Sequence, residues 1–138
     1  MSVEVSAAAF RNRLVSLCIN GGDGLPKKQR DLHILLASAT LWMKDGTTYS
    51  EPEINVHLRH WIDTVCERAR LDELTIRREL VDSRFLLRDD AGSHYTTGPG
   101  PTTIRFAPDI AEIDPELVIR QARSERAARK AAHLSDGA

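Results

Sequence analysis

The sequence predicts a mainly α-helical chain with one small antiparallel β-hairpin. Three observations lead there. Aromatic residues make up only 5% of the 138 residues, so the core must be built from Leu, Ile, Val and Ala, which suits packed helices better than a β-sandwich. Apolar residues recur at three- and four-residue intervals through most of the chain. One turn sequence, Asp89-Asp90-Ala91-Gly92, sits between two short extended runs, with Gly92 suited to a positive φ. The length is that of one compact domain.

In chain order, Ser6 is a good N-cap for a first helix. Its stripe is Phe10, Leu14 and Leu17, widened by Val15, Cys18 and Ile19. Gly21 and Gly22 stop it, and Asp23-Gly24 continues the loop. A second helix is expected from Pro26 to Met43, with Pro26 in the first turn and Leu32, Leu35, Leu36, Ala39 and Met43 at helical spacing. Asp45-Gly46 turns the chain, and Thr47, Thr48 and Tyr49 read as a short extended piece. Ser50-Glu51-Pro52-Glu53 is a strong helix start: Ser50 can accept from the amide of Glu53 while the Glu53 carboxylate reaches back. Ile54, Leu58, Trp61, Ile62 and Val65 form the stripe of this third helix, which either extends to Arg68 or breaks near His60. A fourth helix runs from Asp72, its cap, to Arg84. Phe85 to Arg88 and Ser93 to Thr97 are the hairpin strands. Gly98-Pro99-Gly100-Pro101 is an irregular loop, and Thr103 to Phe106 a short third strand. Asp114-Pro115 opens a last helix reaching Leu134. The expected organisation is an N-terminal helix and loop over 1–24, a central helix-and-hairpin unit over 25–106, and a basic C-terminal helix over 107–138.

Helices followed by a hairpin make the order of a winged helix-turn-helix, here with an extra helix at each end. In that architecture the last helix before the hairpin enters the major groove of DNA and the hairpin touches the backbone. Thr75, Arg78, Glu79 and Asp82 project from one side of that helix, while Leu71, Leu74, Ile76, Leu80 and Val81 point to the other. Arg78 could read a guanine edge or hold a phosphate. Glu79 and Asp82 on the same face would repel phosphate, and an Arg78–Asp82 pair at i, i+4 is the plainer reading of that face. Arg84 adds a groove-side cation. Arg88 and His94 on the wing, with Lys27, Lys28 and Arg30 at a helix start, are the candidates for backbone contact. Arg77 falls among the apolar positions at about 100° per residue. A buried guanidinium needs a partner, and Glu53, Asp63 and Glu67 are the candidates for a structural ion pair.

The formal net charge of −1 argues against non-specific coating of nucleic acid and leaves room for a local basic face. Residues 1–115 sum to −3 and residues 116–138 to +2. No run approaches the roughly 20 apolar residues that a bilayer requires, so no membrane partner is expected. The N-terminus has no basic leader, and no signal peptide is expected. Cys18 and Cys66 make no disulfide framework, which makes a reducing cytoplasm the expected location. His57 and His60 at i, i+3, followed by Cys66, fall short of a zinc ligand set, and Cys18, His33 and His94 are scattered, so no metal is expected. The chain has no Gly-x-Ser-x-Gly elbow, no Walker loop and no Rossmann glycine pattern. Gly21-Gly22-Asp23-Gly24 follows no expected strand, which argues against a phosphate cradle. Glu51, Glu53, Asp63 and Glu67 read as a solvated helix face. Neither catalysis nor a cofactor is expected.

Three segments carry a resemblance. They are Tyr49-Ser50-Glu51-Pro52-Glu53-Ile54-Asn55, then Ile76-Arg77-Arg78-Glu79-Leu80-Val81-Asp82, then Phe85-Leu86-Leu87-Arg88 with Gly92 and Tyr95. With Lys27, Lys28 and Arg30 ahead of them, they resemble a bacterial family, domain of unknown function 2087, over Leu25 to Tyr95. The Arg-Arg-Glu-Leu-Val-Asp block is the most specific part. The resemblance implies a winged-helix-like fold, in members that stand alone or are fused to transcriptional regulators, and no established biochemical activity. Ile76 stands where the family has Leu, and the link from Trp61 to Leu71 is longer than the family's and lacks its His.

The last helix carries Arg120, Arg123, Arg126, Arg129 and Lys130, which a spacing of three spreads around it, with modest apolar residues Leu117, Val118, Ala122, Ala128 and Leu134. It packs on the body or on a second subunit, forms a basic arm, or contacts phosphates. By analogy with winged-helix proteins whose flanking helices pair, a homodimer is expected. The combined expectation is a DNA-binding, transcription-regulator-like protein. The alternative is a winged-helix protein-interaction module without DNA binding, which the −3 over residues 1–115 favours. A third, weaker reading is a ligand sensor with a pocket beside the N-terminal helix. A positive patch across residues 72–84 and the hairpin would favour DNA, and neutralisation of Arg77, Arg78 and Arg88 by carboxylates would favour the module.

Overall fold

The computed structural model describes residues 2–136. β1 (Val3–Val5) leads into α1 (Ala7–Ile19), α2 (Gln29–Ser38), β2 (Tyr49–Ser50), α3 (Glu51–Thr64) and α4 (Glu73–Asp82). Then come β3 (Leu86–Arg88), β4 (His94–Thr97), β5 (Ile104–Phe106), a 3-10 turn (Pro108–Glu112) and α5 (Pro115–Asp136). The helix starts are set by side-chain caps, which satisfy amides that no helical carbonyl reaches. Ser6 Oγ accepts from the amide of Ala9 at 3.1 Å. Ser50 and Glu53 form a reciprocal capping box with Pro52 in the first turn. Asp72 accepts from the amide of Thr75 at 2.7 Å.

β2, β4 and β3 form one antiparallel sheet in that spatial order. Tyr49 faces Tyr95, Ser50 faces His94, and Arg88 also faces Tyr95 from the other side. The hairpin turn closes through Gly92, at φ +73°, whose amide donates to the Asp89 carbonyl at 3.0 Å. One core runs through the molecule. Phe10 and Leu14 of α1, Ile34 to Leu36 of α2, Ile54 and Leu58 of α3, Ile76 and Leu80 of α4, Leu86, Tyr95 and Ile119 of α5 are all fully buried in it. Each such aliphatic side chain contributes roughly 1.5–3 kcal/mol by leaving water.

Several local expectations are corrected. The second helix is shorter than Pro26 to Met43. Lys28 is its N-cap, and beyond Ser38 the amides of Ala39, Thr40 and Met43 bond three residues back, while the Ser38 and Thr40 hydroxyls bond the Leu35 and Ala37 carbonyls. Hydroxyls that compete for helix carbonyls, with i→i−3 bonding, tighten and end a helix. The strand at 104–106 does not extend the hairpin; it pairs in parallel with β1, a strand the sequence reading lacked. The hairpin sheet takes its third strand from β2 instead. Leu74 lies on the exposed side of α4, not in the apolar group. Cys18 and Cys66 are bonded to each other, so the argument from unpaired thiols to a reducing compartment lapses. They meet because the last turn of α1 packs against the link that follows α3. No helix among the described residues is long and apolar enough to cross a membrane.

Two buried polar groups lead to stability predictions. Asp31 is buried, and Arg13 grips both its oxygens, Nε to Oδ1 and Nη2 to Oδ2, each at 2.7 Å. That grip holds the Asp31 carboxyl below its ordinary range, against the opposing effect of burial. Arg13→Ala leaves a buried carboxylate without its partner and is expected to cost about 1–3 kcal/mol in urea unfolding at pH 7. The wild-type contribution is present above the unfolded-state value near pH 4 and is lost as pH falls through the lower folded value. His33 is buried with its ring 6.2 Å from the Phe85 ring, and burial pushes its imidazole below the usual value. As pH falls below about 6.5, the unfolded chain takes up the proton first, so stability drops. Melting of the wild type is expected to fall between pH 7.5 and 5.5, and His33→Gln should show a smaller fall.

Candidate nucleic-acid interface

α4 is held at both ends and along one side. Its buried residues are Ile76 and Leu80. Arg77 is mostly buried; its Nη2 lies 3.1 Å from Glu51 Oε1 and its Nη1 donates to Asn55 Oδ1. The partners are therefore Glu51 and Asn55 on α3, and not Glu53, Asp63 or Glu67: Glu51 and Asn55, one turn apart at the start of α3, are the side chains that reach the Arg77 guanidinium. Arg59 of α3 adds a bond to Glu73 and a 3.7 Å approach to Asp63.

The C-terminal end of α4 is closed by a Schellman arrangement. The Phe85 amide donates to the Leu80 carbonyl at 2.9 Å, and the Arg84 amide to the Val81 carbonyl at 3.1 Å. Arg84 takes φ +65°, the left-handed position that this closure requires and that glycine more often fills. The Arg84 carbonyl then accepts from Gly100, and the Phe85 carbonyl from Gly98, both at 2.9 Å. The loop after the hairpin is thereby stitched to the end of α4.

On this frame Thr75, Arg78, Glu79 and Asp82 share the outward stripe of α4, with Arg78 and Asp82 exposed. Among the described residues no carboxylate lies within 4 Å of Arg78, Arg84, Arg88, Lys27, Lys28 or Arg30. The Arg78–Asp82 pair is not formed. Arg88 and His94 come together in an open groove of about 360 Å³, shared with Thr48, Leu87, Asp89 and Thr96. The Arg88 guanidinium lies over Gly92, where no Cβ intervenes. Asp89 Oδ1 accepts from the amides of Ser93 at 2.8 Å and His94 at 3.2 Å, and its Oδ2 is 3.3 Å from His94 Nδ1. The two backbone bonds hold the Asp89 carboxyl below its usual range. Lys27, Lys28 and Arg30 stand exposed at the start of α2 and do not line that groove.

Two exposed apolar residues join the surface: Leu74 on α4, 55% exposed, and Leu87 on β3, 42% exposed. A stack of Trp42 on His57, with centroids 3.7 Å apart, and Tyr49 edge-on to Trp42 pack beside β2. Periodicity carries no signal for either contact, since the partners come from a turn, a strand and a helix. No group of three or more His, Cys, Asp or Glu that could hold a metal is present among the described residues, and Cys66 is engaged with Cys18.

A family model described as "Uncharacterized protein conserved in bacteria (DUF2087)" matches residues 23–97, more than half of the chain. The chain belongs to this family. The DUF2087 span runs from the loop before α2 to the end of β4, so it contains α4, the hairpin and β2. β1, α1, β5 and α5 lie outside it. No curated protein and no solved structure matches the chain.

Gly98 follows directly on the last residue of the DUF2087 span and is fixed by its surroundings. A Cβ there would run into the Arg84 carbonyl oxygen, which is backbone and cannot swing away. Gly98→Ala is expected to lower stability by about 1–3 kcal/mol, read as a shift in the denaturation midpoint, and to loosen the end of α4, read as faster amide exchange at Arg84 and Phe85.

Proposed function

We propose that this protein is a non-catalytic, DNA-binding, transcription-regulator-like protein of winged-helix type. The order of the small sheet carries the reading. β2 comes from between α2 and α3, yet it pairs with β4, leaving β3 on the far side and α4 immediately before the hairpin. A winged helix assembles in this way, with the helix before the hairpin offered to the major groove. The unpaired state of Arg78, Arg84 and Arg88 supports it, since a cation without a carboxylate is available to a base edge or a phosphate. Thr75 and Arg78 are the groove-side contacts in this reading. Arg88 and His94 meet the backbone from the wing, as do Lys27, Lys28 and Arg30 from the start of α2. The functional unit is a homodimer, with the solvated outer half of α5 available to a second copy.

A second reading, a protein-interaction module, is favoured by Leu74 and Leu87, apolar side chains exposed on the same two elements.

Binding to sheared genomic DNA of the host across a salt series separates the two. Salt-sensitive binding that enriches particular fragments is the expected result for a regulator. Arg78→Ala should then lose about 1–3 kcal/mol and relax specificity at one position, while Arg88→Ala should weaken all fragments evenly and reduce the salt slope by about 1. Absence of binding at low salt, where attraction is strongest, would replace the DNA reading with the interaction module.

A further inference from the structure

The disulfide is buried, and the small exposure it keeps is on Cys18, beside a group of cations. Cys66 is fully buried, at 0%, whereas Cys18 retains 5% exposure. Cys18 forms part of the wall of an open groove of about 280 Å³, whose other lining residues are Ile19, Arg123, Arg126, Ala127 and Lys130. Among the described residues, none of those three cations has a carboxylate within 4 Å. Arg126 makes one long bond, Nη1 to the Ile19 carbonyl at 3.4 Å, which keeps α5 over the end of α1. A neighbouring groove between the same two helices, about 750 Å³, adds Arg11 and Arg129 and one carboxylate, Glu125.

We propose that Cys18 is a thiol–disulfide exchange site for small anionic thiols. Exchange rates depend on which sulfur can be reached and on the supply of attacking thiolate. Access selects Cys18, and Arg123, Arg126 and Lys130 concentrate thiolates that carry a further negative charge. The incoming thiolate sulfur attacks Cys18 Sγ. A new bond forms between the two, the Cys18–Cys66 bond breaks, and its electron pair leaves on Cys66 Sγ, which takes a proton from solvent. A second thiolate attacking the bound thiol's sulfur releases the small disulfide and leaves Cys18 as a thiolate beside three cations. Two thiols are oxidised as one protein disulfide is reduced, with no further oxidant or reductant. Cys18 lies outside the span of the family match and Cys66 inside it, so the reaction uncouples α1 from the link that precedes α4. The inference does not depend on DNA binding.

The test uses the oxidised full chain with two probes, 2-mercaptoethanesulfonate and 2-aminoethanethiol, with rates expressed per thiolate. Intact mass follows the adduct, and peptide mapping after alkylation locates it. The expected result is that the anionic probe reacts about tenfold faster or more at low salt. That preference should shrink as salt screens the groove and in the triple variant Arg123→Gln, Arg126→Gln, Lys130→Gln, with the adduct on Cys18. These three side chains are exposed, and circular dichroism verifies that α5 persists. Equal rates for the two probes would overturn the proposal. So would an undiminished preference in the triple variant, an adduct on Cys66, or two free thiols in protein purified without reductant.

Discussion

The molecule is organised around a buried guanidinium. Arg68 lies in the link between α3 and α4 and is almost fully enclosed, with no carboxylate partner within 4 Å among the described residues. It donates instead to three backbone carbonyls, those of Gly24 at 2.7 Å, Leu17 at 3.0 Å and Gly21 at 3.2 Å. A buried cation left bare would be strongly destabilising, and charge-assisted bonds of roughly 1.5–3 kcal/mol each offset that cost. The planar fork of arginine makes such divergent bonding possible where a lysine would not. Gly22 passes over the guanidinium at a distance that leaves no room for a Cβ. The Gly24 amide returns a bond to the Ala69 carbonyl at 2.6 Å. The glycine-rich loop is therefore a cradle, but for this protein's own cation and not for a phosphate.

The position of α4 follows from that anchor. The Leu71 amide donates to the Arg68 carbonyl at 3.2 Å, Arg70 turns the chain at φ +65°, and Asp72 caps the helix two residues later. Arg77 then clamps α4 to the start of α3, which is itself continuous with β2. β2 pairs with β4, and β4 pairs with β3, which α4 feeds through the Arg84 turn. Every connection in this loop of contacts is a hydrogen bond or an ion pair with a named partner, so the outward stripe of α4 and the hairpin groove ride on rigid supports. The three segments that carry the resemblance to the family meet here. Tyr49 pairs with Tyr95, and Glu51 and Asn55 meet Arg77. In these segments Tyr49, Glu51, Asn55, Arg77 and Tyr95 are structural staples, and on α4 the side chains left outward are Thr75, Arg78, Glu79 and Asp82.

What was legible in the sequence was local. Ser6, Ser50 with Glu53, Asp72, and Asp114 with Pro115 announce helix starts through chemistry within three residues, and all four helices begin there. Gly92 announces its turn in the same way. What was illegible depended on partners far along the chain. β1 is three residues long, and its partner is about a hundred residues away. The identity of the Arg77 partners depends on the crossing of α3 and α4, which periodicity does not give. Cys18 and Cys66, 48 residues apart, carry no spacing rule that says they meet. Leu74 was placed by counting apolar residues around a helix, but it lies in the first turn of α4, where nothing packs over the outer side. The end of α2 failed for a local reason, since Ser38 and Thr40 are hydroxyl residues that compete with the helix they sit in.

The charge distribution explains how a chain with net −1 still presents cations. Eight of its 20 Asp and Glu residues serve as caps and clamps. Asp72 holds the Thr75 amide, Asp89 the Ser93 and His94 amides, Asp114 the Leu117 amide and Glu53 the Ser50 amide. Asp31, Glu51, Glu73 and Glu116 each hold an arginine. The bonds to amides and guanidinium groups hold the carboxyls of Asp31, Glu53, Asp72, Glu73 and Asp89 below their usual range. Their negative charge is directed at specific donors near their own positions rather than spread over the surface. Arg78, Arg84 and Arg88 have no such partner, nor do Arg123, Arg126 and Lys130 on α5. Beyond a Debye length of about 8–10 Å in physiological salt, a visiting anion does not sense the total of the chain. It meets the local field: over Cys18 that field is set by two arginines and a lysine with no carboxylate within 4 Å among the described residues, and at the α4–hairpin surface by Arg78, Arg84 and Arg88 in the company of Glu79, Asp82 and Asp89.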